Sequence, residues 1–125
     1  MNLLKRLFGA KAPQLEDSYV VTITQETISV YHPQWLTLTG SIKWDDIHTI
    51  LLINTDEGPW LPDVWLTLVG DDNRCMIPQG AKGFEDIYDI VSKYEGFNFE
   101  NAAKSMSCTD NAEFMLWSKR ELQKT

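Results

Sequence analysis

The side chains able to do chemistry in this chain are few: His32, His48, Cys75, Cys108 and adjacent acidic pairs, among them Asp45-Asp46, Asp56-Glu57, Asp71-Asp72 and Glu85-Asp86. Nucleophilic catalysis needs a nucleophile, a base within reach and a third group that orients the base, and no serine or cysteine stands in such a context. General acid and base work needs carboxylates converging in a cleft with separated pKa values. Most of these pairs instead fall in turn-forming stretches or at a helix start. The histidines and cysteines lack the close spacing of a metal site, so no enzyme, metal or cofactor is expected. One cluster suits binding. Asp56, Glu57 and Trp60 share the turn-rich stretch Asn54 to Pro62, and an exposed loop carrying acids and a large aromatic can capture a basic or aromatic anchor. The competing arrangement folds Trp60 back onto the core.

The elements that position these residues read from the hydrophobic period. Ser18 to Thr24 and Thr27 to Tyr31 alternate with period two and are joined by the short turn Gln25-Glu26, which predicts an antiparallel hairpin. His32 falls in a Pro-containing break, and Trp35 to Thr39 reads as a short strand stopped at Gly40. Ile42 and Trp44 read as a strand ending, Asp45-Asp46 as a polar corner, and Ile47 to Ile53 as a buried strand. Asp63 to Val69, the turn Gly70-Asp71-Asp72-Asn73 and Arg74 to Ile77 make a second hairpin, ended by Pro78. Gly80 to Gly96 changes to helical spacing, with Phe84, Ile87, Tyr88, Val91 and Tyr94 in one stripe and Gly96 as the stop. Phe97, Phe99, Ala102, Ala103 and Met106 read as a second short helix or a packed loop. Residues 110–118 fit either a helix N-terminal box, Asp110 with Glu113, or a closing strand over Phe114 to Trp117, and the strand is favoured.

At 125 residues and 43% hydrophobic content, one domain with its own core is expected. Two cysteines far apart, without a signal-peptide pattern, point to a reduced cytoplasmic protein in which both thiols serve as small core residues. No apolar run reaches the ~20 residues a bilayer span requires.

The net charge of −7 conceals an uneven distribution. Residues 14–118 carry 17 Asp and Glu against five Lys and Arg, while Lys5, Arg6, Lys11, Lys119, Arg120 and Lys124 lie towards the two ends. An acidic body repels phosphate backbones, which argues against nucleic acid and for a basic partner protein, beside the simpler role of solubility. The chain therefore divides into an amphipathic segment 1–13, a body 14–118 and a basic tail 119–125. In the first, Leu3, Leu4, Leu7 and Phe8 take one helical face against Lys5 and Arg6, before Gly9 and Pro13 end it. So short a helix must dock on its own domain, on a partner or on lipid.

The order of hairpin strands, then Ile42-Lys43-Trp44-Asp45-Asp46-Ile47 leading into a hydrophobic strand, then the Gly-Asp-Asp-Asn hairpin and an amphipathic helix, resembles small bacterial pleckstrin-homology-like domains over about residues 18 to 96. Residues 97–118 are similar to the ending of small bacterial proteins with Thr109, Asn111, Phe114, Leu116 and Trp117 in this arrangement. The resemblance implies an α+β fold: an antiparallel, strongly bent sheet or partial barrel packed by a C-terminal amphipathic helix. Lipid-binding members place basic residues around the first hairpin loop, here Thr24-Gln25-Glu26-Thr27, which carries none. The resemblance thus implies a protein-binding scaffold rather than an inositol-phosphate site.

These readings combine into one leading expectation, a non-catalytic, cytoplasmic protein-binding domain. Its concrete form is an acidic immunity-type protein that neutralises a basic toxin, with charge speeding association. The alternative is a peripheral membrane adaptor making weak lipid contact through Leu3, Leu4, Lys5, Arg6, Leu7 and Phe8.

Overall fold

The computed structural model describes residues 19–32, 37–55, 64–108 and 110–119. The chain is α+β, with strands β1 (Val20–Ile23), β2 (Thr27–His32) and β3 (Thr37–Lys43) forming one antiparallel sheet in the order β1-β2-β3. Strands β4 (Thr49–Asn54), β5 (Val64–Val69), β6 (Arg74–Pro78) and β7 (Ala112–Ser118) form a second, in the order β6-β5-β4-β7. Between β6 and β7 lie two helices, α1 (Phe84–Val91) and α2 (Phe99–Met106). Among the described residues no closed barrel forms.

Alternation decides which side chains meet. Ile28, Val30 and Ile42 of the first sheet join Ile50, Leu52, Leu66, Leu68, Cys75 and Ile77 of the second in one core, all at most 1% exposed. Each such aliphatic side chain contributes about 1.5–3 kcal/mol by leaving water. The α1 stripe of Phe84, Ile87, Tyr88 and Val91 is buried in the same core. Glu85 and Asp86 occupy its first turn, where the helix dipole favours negative charge.

Several sequence expectations change. Gly40 does not stop a strand: β3 runs through it to Lys43, and Gly40 pairs with Val30 beside an irregularity in the register. A Cβ there would stand 3.3 Å from the Cys75 Cα, so this glycine marks where β3 approaches β6, a use of glycine that resembles a breaker in sequence. The helix expected over 80–96 is limited to Phe84–Val91. It starts after Gly83 in a left-handed conformation, and the chain leaves it in turns before Gly96. The segment after it is a true helix, capped by Asn98, whose side-chain oxygen accepts from the Asn101 N–H at 2.8 Å. The last segment is a strand, because β7 pairs with the open edge of β4. The helices therefore precede a final strand rather than ending the fold. Cys108 is half-buried and its thiol donates to the Asp110 carbonyl, whereas Cys75 alone of the two belongs to the core.

Trp44 is not a strand residue but opens a 3-10 turn, Trp44–Asp46, that ties the first hairpin to the second sheet. Its backbone N–H donates to the Glu26 carbonyl at 3.0 Å and its indole N–H to the Thr24 carbonyl at 2.8 Å. Trp44→Phe keeps most of the ring but deletes the second bond, so urea denaturation is expected to show a loss of about 1 kcal/mol. An unchanged midpoint would mean that water replaces the bond at no cost.

Candidate functional site

Antiparallel pairing brings three chain segments to one end of the second sheet. Thr49 at the start of β4 is opposite Val69 at the end of β5 and Ser118 at the end of β7. The turn before β4, the turn after β5 and the residue after β7 must therefore be neighbours. They carry Asp45 and Asp46, Asp71 and Asp72, and Lys119, which together with Ile47, His48 and Asn73 line a cavity of about 350 Å³.

Backbone bonds hold the walls in place. The His48 N–H donates to the Val69 carbonyl at 2.9 Å, and the Lys119 N–H donates to the His48 carbonyl at 2.8 Å. The β5–β6 turn is closed by Gly70 N–H donating to the Asn73 carbonyl at 2.8 Å, and the Asn73 amide donates to the Ser41 carbonyl at 2.8 Å. That last bond anchors the acidic turn to the first sheet. Within the groove, His48 Nε2 lies 3.4 Å from Asp71 Oδ1, and Nδ1 is 2.8 Å from Thr49 Oγ1. Four carboxylates face one ammonium and one imidazole, so the lining is net negative. A groove with this charge, lined by exposed acids on short turns, can take up a cationic side chain.

The residues expected from sequence to bind a partner or lipid are not among those described. Asp56, Glu57 and Trp60 are outside the described residues, as are Leu3, Leu4, Lys5, Arg6, Leu7 and Phe8. Two pairs read as simple turn formers, Asp45-Asp46 and Asp71-Asp72, are the ones the fold brings together. Glu85-Asp86 remains a helix start. The signal was present in the sequence: once the strand after Asp46 pairs antiparallel with the strand before Gly70, the two acidic turns must share one end of the sheet.

His32 and Cys75 are placed away from this groove. His32 ends β2, only 2% exposed, with its ring edge-on to Tyr19 at 5.0 Å between centroids. Burial pushes the Cys75 thiol up to about 12, which keeps it protonated and unreactive at neutral pH. Burial also raises Tyr88 and Tyr94. Among the described residues no group of three His, Cys, Asp or Glu side chains is arranged to hold a metal ion. Nor is any described helix long and apolar enough to cross a membrane. In comparisons with protein-family models, curated proteins and solved structures, the chain matches none.

Proposed function

We propose that the protein is a non-catalytic binding domain whose acidic groove engages a basic partner protein. The observation that carries this reading is the convergence of Asp45, Asp46, Asp71 and Asp72 on one cavity in a body already rich in acids. Carboxylates on exposed turns are ready to meet arginine or lysine side chains without a large desolvation cost, and their shared field accelerates encounter. An immunity-type role, covering the basic surface of a toxin in the cytoplasm, is the form of this function that the charge distribution favours. The pleckstrin-homology-like reading of the fold belongs to the same proposal. It is supported by two antiparallel sheets with an amphipathic helix in their common core, while a strand after the helices departs from a helix-terminated ending.

A hexalysine peptide serves as the probe. In calorimetry at low ionic strength the full chain is expected to bind it. The variant D45N/D46N/D71N/D72N is expected to bind about tenfold more weakly, the equivalent of about 1.4 kcal/mol. Equal affinity for the two proteins would remove the groove as the binding surface.

A further inference from the structure

We propose that the amphipathic segment 1–13 of this chain docks on the outer face of the four-stranded sheet, closing an apolar surface of its own domain. Alternation gives that sheet two faces. Ile50, Leu52, Leu66, Leu68, Cys75 and Ile77 point into the core, while Leu51, Ile53, Trp65, Val69, Met76 and Met115 share the other side. An antiparallel sheet with one face in water ordinarily carries polar residues there. Here that face is apolar, with Met115 42% exposed and the other five half-buried. None of the six belongs to the core. Both helices and the first sheet send their buried side chains into that core, so among the described residues no helix or strand covers the outer face. Yet Thr67 in its middle, opposite both Leu51 and Met76, is 0% exposed. A face closed at its centre, without a described neighbour over it, calls for a cover from the rest of the chain.

The segment suits this face in pattern, reach and charge. Its spacing gathers Leu3, Leu4, Leu7 and Phe8 on one helical side, and so short a helix gains its stability only by burying them. The described chain begins beside the face, where the Tyr19 ring stands edge-on to Trp65 with 6.2 Å between centroids. Residues 14–18 can span up to ~17 Å when extended. Four strands are ~14 Å across, and an eight-residue helix is ~12 Å long, so the segment can lie over the sheet. A tether this short holds the segment near its own domain at an effective concentration in the millimolar range, which favours it over the segment of a second copy. The segment carries Lys5, Arg6 and Lys11 and no acid, whereas residues 14–118 carry 17 Asp and Glu against five Lys and Arg. That charge draws the segment to its own body and makes an anionic lipid surface the harder one to approach. Glu113, exposed on the same face opposite Ile53, can meet one of these cations at the rim. No residue of the acidic groove takes part, so this contact stands or falls independently of the basic-partner reading.

Hydrogen exchange of the full chain, resolved by residue with NMR, tests the contact. In wild type the amides of residues 4–8 are expected to exchange at least about tenfold more slowly than in an unstructured peptide. In Leu51→Ser/Met115→Ser that protection is expected to vanish, while the Ile28 and Val30 amides of β2 keep theirs and so report a folded domain. Should the double variant unfold, Met115→Ser alone, at an exposed position, is expected to lower the protection about threefold. Unprotected amides in wild type, or protection that the face variants leave unchanged, overturns the inference. Two further measurements separate the other occupants. Sedimentation equilibrium is expected to give a monomer, and a dimer whose protection at residues 4–8 grows with protein concentration would assign the segment to a second copy. Phosphatidylcholine–phosphatidylserine vesicles are expected to leave the full chain in the supernatant. Co-sedimentation that is lost in Leu4→Ser/Leu7→Ser/Phe8→Ser would assign the segment to lipid, and either of these results overturns the intramolecular contact.

Discussion

Replacing Asn54 with alanine is expected to destabilise the fold by about 3 kcal/mol, the sum expected when several buried polar groups lose their partners. Asn54 ends β4 with only 4% of its surface exposed. Its amide donates to the Ser105 carbonyl at 2.9 Å and to the Cys108 carbonyl at 3.2 Å, which satisfies two carbonyls at the C-terminal end of α2. In return the Ser105 hydroxyl, on a residue 1% exposed, donates to Asn54 Oδ1 at 2.6 Å. One side chain thus fastens α2 to the sheet, and alanine removes its bonds to the Cys108 carbonyl, the Ser105 hydroxyl and the Ser105 carbonyl, the last of which keeps the Cys108 N–H at 3.2 Å. Ser105→Ala removes a single bond and is expected to cost about 1 kcal/mol. Because the residues share one network, the double variant should lose less than the sum of the single losses. Urea unfolding of the three variants measures this, and a loss below about 1 kcal/mol for Asn54→Ala would show that water replaces these bonds freely.

Gly83→Ala is expected to cost about as much, for a different reason. Gly83 caps α1 with φ 97° and ψ −5°, a left-handed conformation that alanine enters only at a cost of about 1 kcal/mol or more. The added Cβ would also stand 3.0 Å from the Val21 Cβ and 3.2 Å from the Val21 carbonyl oxygen. That contact occurs where β1 is fastened to the loop before α1: Val21 N–H donates to the Lys82 carbonyl at 2.8 Å, and Lys82 N–H to the Tyr19 carbonyl at 3.0 Å. The chain cannot relieve the clash by moving away without breaking these bonds. Strain and contact together amount to about 3 kcal/mol, which for a chain of this size lowers Tm by about 10 °C. Thermal unfolding is the measurement, and a shift of less than about 3 °C would mean that the loop yields cheaply.

Much of the fold was legible because short-range chemistry decided it. The two hairpins follow from period-two runs around turn residues, and their strands agree to within two residues with the sequence reading, whereas the apolar stripe marked the existence of α1 but only Phe84–Val91 of the expected 80–96 is helical. The ambiguous segment 110–118 illustrates the opposite case. Asp110 and Glu113 offered a helix start, but the vacant edge of β4 offered Phe114 to Trp117 a ladder of backbone bonds, and a long-range partner outweighed the local signal. Gly40 was misread for the same reason, since a glycine that admits a neighbouring backbone looks in sequence like one that ends a strand.

His48 and the four groove aspartates show where the boundary lies. Their types, their turn-forming neighbours and the acidity of the body were determined by the sequence alone, because charge and turn propensity are local properties. Their meeting in one cavity was decided by the tertiary structure. The turns carrying Asp45-Asp46 and Asp71-Asp72, and the residue Lys119, come together because β4 pairs antiparallel with both β5 and β7. That pairing is fixed by which hydrophobic faces bury against each other across long sequence separations, and a one-residue slip in register would turn those faces to water.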